Sequence, residues 1–264
     1  DAHSLVRQRK EGVVNPHIYT ATSTRILRQL RADHRTVAMI LMVPSLLMTL
    51  LSFLYQEVPL TPGKPPVFDR IAIAMLGILP FVVMFLITSI AMQRERSSGT
   101  LERQLTTPMT KLDLLAGYAS AFSIAAVAQA ALACAVAFGL LGLTTAGSVT
   151  WVVLVAMLGA VLGVAIGLLC SAFARTEFQA VQFMPVVVIP QLFLCGLLVP
   201  REQMPDWLQI ASNAMPLSYS VDALDEIANN ATVTTTMLLD LAVVLGFVIV
   251  ALCAAAATLR RRTP

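Results

Sequence analysis

Six apolar stretches, each about 20 residues or longer, contain no Asp, Glu, Lys, Arg or His and limit what this chain can fold into. A helix needs about 20 mostly apolar residues to cross a bilayer. Lipid offers no hydrogen-bond partner to the backbone, so such segments must be helical. The sequence therefore predicts an all-α membrane protein with six transmembrane helices, over residues 37–55, 71–92, 114–141, 151–174, 178–199 and 241–259.

The composition agrees with a chain that is mostly embedded in lipid. Hydrophobic residues make up 57% of the sequence and charged residues only 12%, whereas a soluble domain carries about 25% charged residues. We therefore predict a cytoplasmic N-terminal segment over residues 1–36 and one six-helix membrane domain over residues 37–264. The chain begins at Asp1, so we expect a few residues to precede it, and we expect no signal peptide.

The placement of basic residues predicts the orientation. Cytoplasmic loops of membrane proteins are enriched in Lys and Arg. With the N-terminus inside, 15 of the 18 Lys and Arg residues fall on the inner side, and only Lys64, Arg70 and Arg201 fall outside. Six crossings return the C-terminus to the side of the N-terminus, so both termini are expected in the cytoplasm.

Two segments outside the apolar runs have helical spacing. Residues 19–35 place Ile26, Leu27 and Leu30 among four arginines, which is typical of an amphipathic helix that lies in the membrane interface. An ordinary basic flank before the first span is the equal alternative. In the outer loop, residues 207–211 predict a short outer-face helix that begins near Pro205 and Asp206.

The sequence also predicts a close contact between two helices. Gly159, Gly163 and Gly167 are spaced four residues apart in the fourth apolar run. Small residues at this spacing let a neighbouring helix approach closely. This pattern indicates packing and says little about function.

Several kinds of chemistry are missing from the sequence. It contains no GxxxxGK[ST] phosphate-binding loop, and its three histidines all precede the first apolar run. Ionisable residues, which mark ion-coupled transport, are absent from the six runs. We therefore expect no enzymatic activity, no metal site and no cofactor in this chain, and we expect another subunit to supply any energy.

The segment between the second and third runs carries a specific signal. It reads QRERSSGTLERQLTTPMTK over residues 93–111. This resembles the cytoplasmic hallmark of ABC-2 type exporter permeases, roughly ERxxGTLExLxxTP, and the closest similarity is to drug exporter permeases of the daunorubicin-resistance type. The matching residues are Glu95, Arg96, Gly99, Thr100, Leu101, Glu102, Leu105, Thr107 and Pro108.

The resemblance implies that residues 95–108 couple the permease to a separate ATPase. Gly99 and Pro108 would break the helices on either side, and a short helix between them could seat in a groove on the ATPase. From the residues alone, a solvated loop that merely connects two helices is an equal alternative.

The resemblance also implies partners and a substrate path. It implies two copies of an ATPase that bind ATP and Mg, and a permease homodimer with helices one and five at its interface. Candidate path residues on these two helices are Phe53, Tyr55, Phe183, Met184, Pro185, Pro190, Gln191 and Phe193. Two of them are prolines, which should kink helix five.

The sequence therefore predicts the permease subunit of an ABC exporter in a prokaryotic cytoplasmic membrane. We expect it to contact the lipid bilayer and to bind no nucleic acid. The expected cargo is a hydrophobic or amphipathic drug or lipid. Two alternatives remain open, an ion-coupled secondary transporter and a membrane subunit that transports nothing. The sequence identifies neither the cargo nor the ATPase, and it leaves open pairing with a second, different permease.

Overall fold

The computed structural model describes residues 16–59, 66–97 and 110–258, except for the side chain of Lys111. This described part contains nine α-helices, a short 3₁₀ helix at Arg201–Gln203 and no strand. The helices are α1 (Pro16–Ala32), α2 (His34–Tyr55), α3 (Val67–Ser97), α4 (Lys111–Gly139), α5 (Val149–Cys170), α6 (Glu177–Leu194), α7 (Asp206–Asn213), α8 (Pro216–Asn229) and α9 (Thr235–Thr258).

Six of these helices are long and apolar enough to cross a membrane, namely α2 to α6 and α9. The six predicted spans are thereby confirmed, with corrections at their ends. Helix α3 extends beyond the predicted 71–92 at both ends, and α5 stops at Cys170 instead of residue 174. The fifth stops at Leu194 instead of residue 199, because Gly196 adopts a left-handed backbone with a φ of 92°. The sixth begins at Thr235 instead of residue 241, because the Thr234 hydroxyl caps it by accepting from the Met237 backbone N–H at 3.1 Å.

Helices α3 and α5 form the centre of the bundle. They run in parallel and pack along the glycine stripe of α5, as the sequence predicted. A methyl group on Gly163 would lie 2.3 Å from the carbonyl oxygen of Phe81, and one on Gly167 would lie 2.6 Å from that of Phe85. The two backbones are therefore in direct contact, which only glycine allows.

The other spans surround this central pair. Helix α4 packs against α5 and carries α2, which also contacts α3, while α9 packs against α5 and α8. Helix α6 has α3 as its main neighbour among the spans. Of the residues in the most apolar part of each span, only 17% are buried in α2 and in α6, against 61% in α3 and in α5. Helices α2 and α6 are thus the peripheral spans.

Helix α1 confirms the amphipathic helix predicted before the first span. Its buried side includes Thr22 and Ile26, whereas Arg28 and Arg31 are exposed. The side chain of Thr22 packs onto Gly117 of α4, where a methyl group would lie 2.6 Å from it, and the hydroxyls of Ser23 and Ser120 are 2.9 Å apart. These contacts fix α1 against α4 at what we term the basic end of the bundle, where α3 ends and α4 begins.

The segment between α6 and α9 lies at the opposite end. Its first helix, α7, is the short helix that the sequence predicted. The second helix, α8, was not predicted, and it is longer. Its apolar side is buried against α3, α5 and α9 through Leu217, Val221, Leu224 and Ile227. The long predicted loop is therefore largely helical and closes this end of the bundle.

Candidate coupling site and substrate path

The predicted coupling segment begins inside α3. Glu95 and Arg96 lie in its last turn, and α3 ends at Ser97. Gly99, Thr100, Leu101, Glu102, Leu105, Thr107 and Pro108 lie outside the described residues. The structure therefore locates the start of the segment, and the role of its remaining residues stays a prediction.

Glu95 lies where three helices meet. Its Oε1 is 3.9 Å from Nη2 of Arg25 on α1, and only 19% of its side chain is exposed. The hydroxyl of Tyr118 on α4 faces the same carboxylate. A force applied to the end of α3 would therefore reach α1 and α4 through one side chain.

Arg96 has a different environment. Its Nε and Nη2 atoms are buried, and neither has a hydrogen-bond partner among the described residues. A guanidinium removed from water without a partner is costly. Arg96 therefore has two buried donors that no described residue satisfies, which the sequence alone could not show.

The segment is followed by a well-defined helix start. The Thr110 hydroxyl accepts from the Asp113 backbone N–H at 3.1 Å, and the Asp113 carboxylate accepts from the Thr110 backbone N–H at 2.9 Å. This reciprocal capping box fixes where α4 begins. The spacing Thr-x-x-Asp is the signal of this cap in the sequence.

A second ion pair at the basic end joins α3 to α6. Arg94 donates from Nε to Oε1 of Glu177 and from Nη2 to Oε2, both at 3.0 Å. Glu177 is the first residue of α6, and the Thr176 hydroxyl caps that helix by accepting from the Gln179 backbone N–H. Neither residue was predicted to have a role.

The predicted path residues divide into two groups. Phe53, Pro185, Pro190 and Phe193 are exposed on α2 and α6, whereas Phe183 and Met184 pack against a buried cluster and Tyr55 is half-buried. Gln191 is buried, donating to the Val187 carbonyl at 2.9 Å and accepting from the Leu217 backbone N–H at 3.3 Å. Within this chain α3 packs against both α2 and α6, and these two helices make no substantial contact with each other.

A polar cavity of about 330 Å³ lies at the end of the bundle opposite α1. Its charged lining consists of Asp69, Arg70, Arg201, Glu202, Asp222 and Asp225. This cavity could not be predicted from the sequence, because its charged residues come from α3, α8 and the turn after α6. None of the described His, Cys, Asp and Glu residues form a group of three or more that could hold a metal ion.

Arg201 organises this cavity. Its guanidinium donates to the Asp222 carboxylate and to the Asn213 side chain, and it lies 5.4 Å from the centre of the Tyr219 ring. Burial raises the pKa of Asp222 to about 6, and the charge of Arg201 only partly opposes this effect. One arginine thus ties the turn after α6 to both α7 and α8.

Comparison with known proteins gives a consistent result. The model of the family described as ABC-2 type transporter matches residues 16–228. The chain is 28% identical over 154 residues to the probable multidrug ABC transporter permease YbhR of Escherichia coli (strain K12), which covers 58% of this chain and 42% of the relative. It is 26% identical over 166 residues to the linearmycin resistance permease protein LnrN of Bacillus subtilis (strain 168), which covers 62% and 43%.

A eukaryotic protein is similar over about the same length of this chain. The ABC transporter G family member 20 of Dictyostelium discoideum is 25% identical over 159 residues, or 60% of this chain and 22% of that protein. In each of these three relatives the matched region spans less than half of the protein.

Proposed function

The chain belongs to the ABC-2 type transporter family, and from this membership we propose that it is the membrane subunit of an ATP-driven exporter. A separate ATPase, present in two copies and binding ATP and Mg, supplies the energy. The cargo is a hydrophobic or amphipathic molecule, in keeping with relatives whose names refer to multidrug transport and linearmycin resistance.

The position of Glu95 carries this proposal. It belongs to the segment that resembles the family hallmark, and it contacts Arg25 of α1 and faces Tyr118 of α4. An ATPase that binds residues 95–108 would therefore act on three helices together. The buried Nε and Nη2 of Arg96, which no described residue accepts from, support an ionic contact with an acidic group on that ATPase.

The basic end of the bundle faces the cytoplasm in this proposal. Arg25, Arg28 and Arg31 of α1 lie there, together with Arg94 and Arg175. Enrichment of arginine on one side supports a cytoplasmic position, where an ATPase has access to ATP. The relatives from two bacteria support a prokaryotic cytoplasmic membrane.

We further propose that two copies of the chain form the permease through α2 and α6. These spans bury the least of their surface within one copy. Their outward sides carry large apolar residues such as Leu50 and Phe53 on α2 and Phe193 on α6. Cysteine introduced at Leu50 should cross-link two copies in membranes, and cysteine at Leu245 on the exposed side of α9 should not.

Purification of the tagged chain from its native membrane tests the proposal directly. We expect a P-loop ATPase to copurify. In proteoliposomes, the assembled complex should move the lipophilic cation ethidium only when ATP is present. Movement driven by a proton or sodium gradient without any ATPase would refute the proposal.

An ion-coupled transporter is the second candidate, because two buried carboxylates lie near the outer ends of spans. Asp69 lies in the first turn of α3, and Asp240 of α9 has a buried Oδ2 without a hydrogen-bond partner among the described residues. Asparagine at both positions would abolish ion-driven transport. ATP-driven export would continue.

A further inference from the structure

Polar side-chain contacts attach helix α6 to the rest of the chain at its two ends. Between them it packs on α3 through one narrow side that includes Ala180 and Val188, and most of its surface stays exposed. At the end near α8, Gln191 accepts from the Leu217 backbone N–H, and the Leu194 carbonyl accepts from the Ser212 hydroxyl at 2.7 Å. At the basic end, the attachment is the bidentate pair between Arg94 and Glu177.

The middle of α6 is the part best able to bend. Pro185 and Pro190 lie inside the helix, and neither can donate the hydrogen bond that a helix makes at that position. Prolines are the usual positions of helix kinks. A helix held at both ends and weakened between them can change its bend without leaving its attachments.

Arg94 lies at the point where α3 leads into the predicted coupling segment. It precedes Glu95 directly and is three residues from the end of the helix. The two parallel hydrogen bonds fix the orientation of the guanidinium relative to the carboxylate, which a single ionic contact would not do. The start of α6 must therefore follow the end of α3 when α3 moves.

We propose that the Arg94–Glu177 pair transmits movement of the coupling segment to α6, so that both residues position α6 during transport. This inference rests on the proposed function. The ion pair acts by fixing geometry and adds little to stability. The two side chains are 66% and 45% exposed, and exposed pairs add at most about 1 kcal/mol to stability.

Four variants of the full chain, assembled with its ATPase in proteoliposomes, test this role. The single variants Arg94→Gln and Glu177→Gln remove the pair, and a double variant, Arg94→Glu with Glu177→Arg, restores it in reverse. Arg175→Gln is the matched control, because it removes an exposed arginine two residues from Glu177 that forms no ion pair among the described residues. The measured quantity is ethidium moved per ATP hydrolysed.

We expect both single variants to assemble and hydrolyse ATP, with ethidium movement per ATP reduced at least about five-fold, the lower range for coupling between two sites. The double variant should recover to within about two-fold of the unmodified protein, as a direct pair requires. Arg175→Gln should behave as the unmodified protein does.

A second measurement reports position and needs no cargo. Spin labels at Ser97 and Phe178 lie at the end of α3 and the start of α6. The distribution of distances between the two labels should stay narrow when ATP and vanadate trap the unmodified complex. In Arg94→Gln this distribution should broaden.

The results separate the two proposals. If the unmodified complex moves no ethidium with ATP, the proposed function fails, and the inference fails with it. If the unmodified complex is active and Arg94→Gln is equally coupled, or the reversed pair gives no recovery, the inference alone is refuted. An unchanged spin-label separation in Arg94→Gln also refutes it.

Discussion

Replacing Gly163 by alanine tests the central contact of the bundle. The added methyl group would lie 2.3 Å from the carbonyl oxygen of Phe81, and 3.0 Å and 3.1 Å from the carbonyl carbon and Cα of the same residue. All three are backbone atoms of α3, so no side-chain rotation can relieve the clash. Helix α5 must move away from α3 by about 1 Å to reach ordinary van der Waals contact.

The expected cost follows from these distances. Overpacking of a filled core costs about 1–3 kcal/mol, while alanine in place of glycine gains about 0.5–1 kcal/mol of helix propensity. Moving the helices apart also weakens contacts at the neighbouring glycines. We expect a net loss of about 2 kcal/mol, which lowers the unfolding temperature of a chain this size by about 5 °C.

The glycines of this protein provide a graded series. Gly167→Ala, with its methyl group 2.6 Å from the Phe85 carbonyl oxygen, should cost somewhat less than Gly163→Ala. Gly159→Ala, at 3.3 Å from the Gly77 carbonyl oxygen, should be nearly neutral. Gly246→Ala on α9 has no atom within 4 Å of the new methyl group and should be neutral or stabilising.

The assay is the fraction of detergent-purified protein that stays monodisperse after heating, measured by size-exclusion chromatography with fluorescence detection. Irreversible aggregation makes the result a rank order more than an equilibrium free energy. The order of the four variants is sufficient to test the contact. A Gly163→Ala protein as heat-resistant as Gly246→Ala would refute the close contact between α3 and α5.

Three further predictions concern topology, coupling and the outer end. Cysteine in place of Ser148 should react with an impermeant thiol reagent added outside sealed cells, and cysteine in place of Ser98 should not, because basic residues mark the inner side. Glu102→Arg should leave the chain folded in the membrane and lower cargo-stimulated ATP hydrolysis, because it reverses a charge expected to face the ATPase. Arg201→Gln should increase maleimide labelling of the buried Cys195, read by mass spectrometry, because Arg201 holds the adjoining turn against α8.

Glu202, at the outer end, provides the controls for Glu102→Arg and for Arg201→Gln. Glu202→Arg should leave ATPase binding intact, and Glu202→Gln should leave the labelling of Cys195 unchanged. External labelling at position 98 would overturn the orientation. Export at the unmodified rate by Glu102→Arg would mean that residues 95–108 only connect two helices. Unchanged labelling in Arg201→Gln would show that other contacts hold the turn.

The spans were predictable because each is a long run without charge, and the absence of charge is visible in the sequence itself. Their ends were less predictable. The sequence predicts that the last span begins after Asp240, yet α9 begins before this residue and buries it. A carboxylate near the end of a span can be sheltered by neighbouring helices, and these become visible only once the chain has folded.

Helix α8 shows a similar limit. Its apolar positions follow helical spacing from Leu217 to Ile227, and Pro216 begins it, but polar residues such as Ser218, Ser220 and Asp222 interrupt the pattern. Two of these three, Ser218 and Ser220, are fully buried. Their burial depends on α3, α5 and α9 lying around the helix, which no local pattern reveals.

The candidate site was likewise only partly predictable from the sequence. The resemblance drew attention to Glu95 and Arg96, and the structure adds the neighbours of Glu95 on α1 and α4. The pair of Arg94 and Glu177 joins residues 83 positions apart. Such a contact is set by how α6 sits on α3, so the sequence offers no signal for it.

The character of α6 also bears on how the protein is made. It is the shortest of the six spans, with 18 residues, and the least apolar, with two prolines and three glutamines. Such a segment gains less from lipid than the other five spans do, because it is near the lower limit of about 17 residues that a span needs and is the least apolar of the six. Its stability in the membrane therefore depends more on a helix synthesised before it, α3, which is its main neighbour among the spans. During biosynthesis α6 therefore inserts after α3 has been made, and a chain in which α3 is misplaced would leave α6 unassembled and open to quality-control proteolysis.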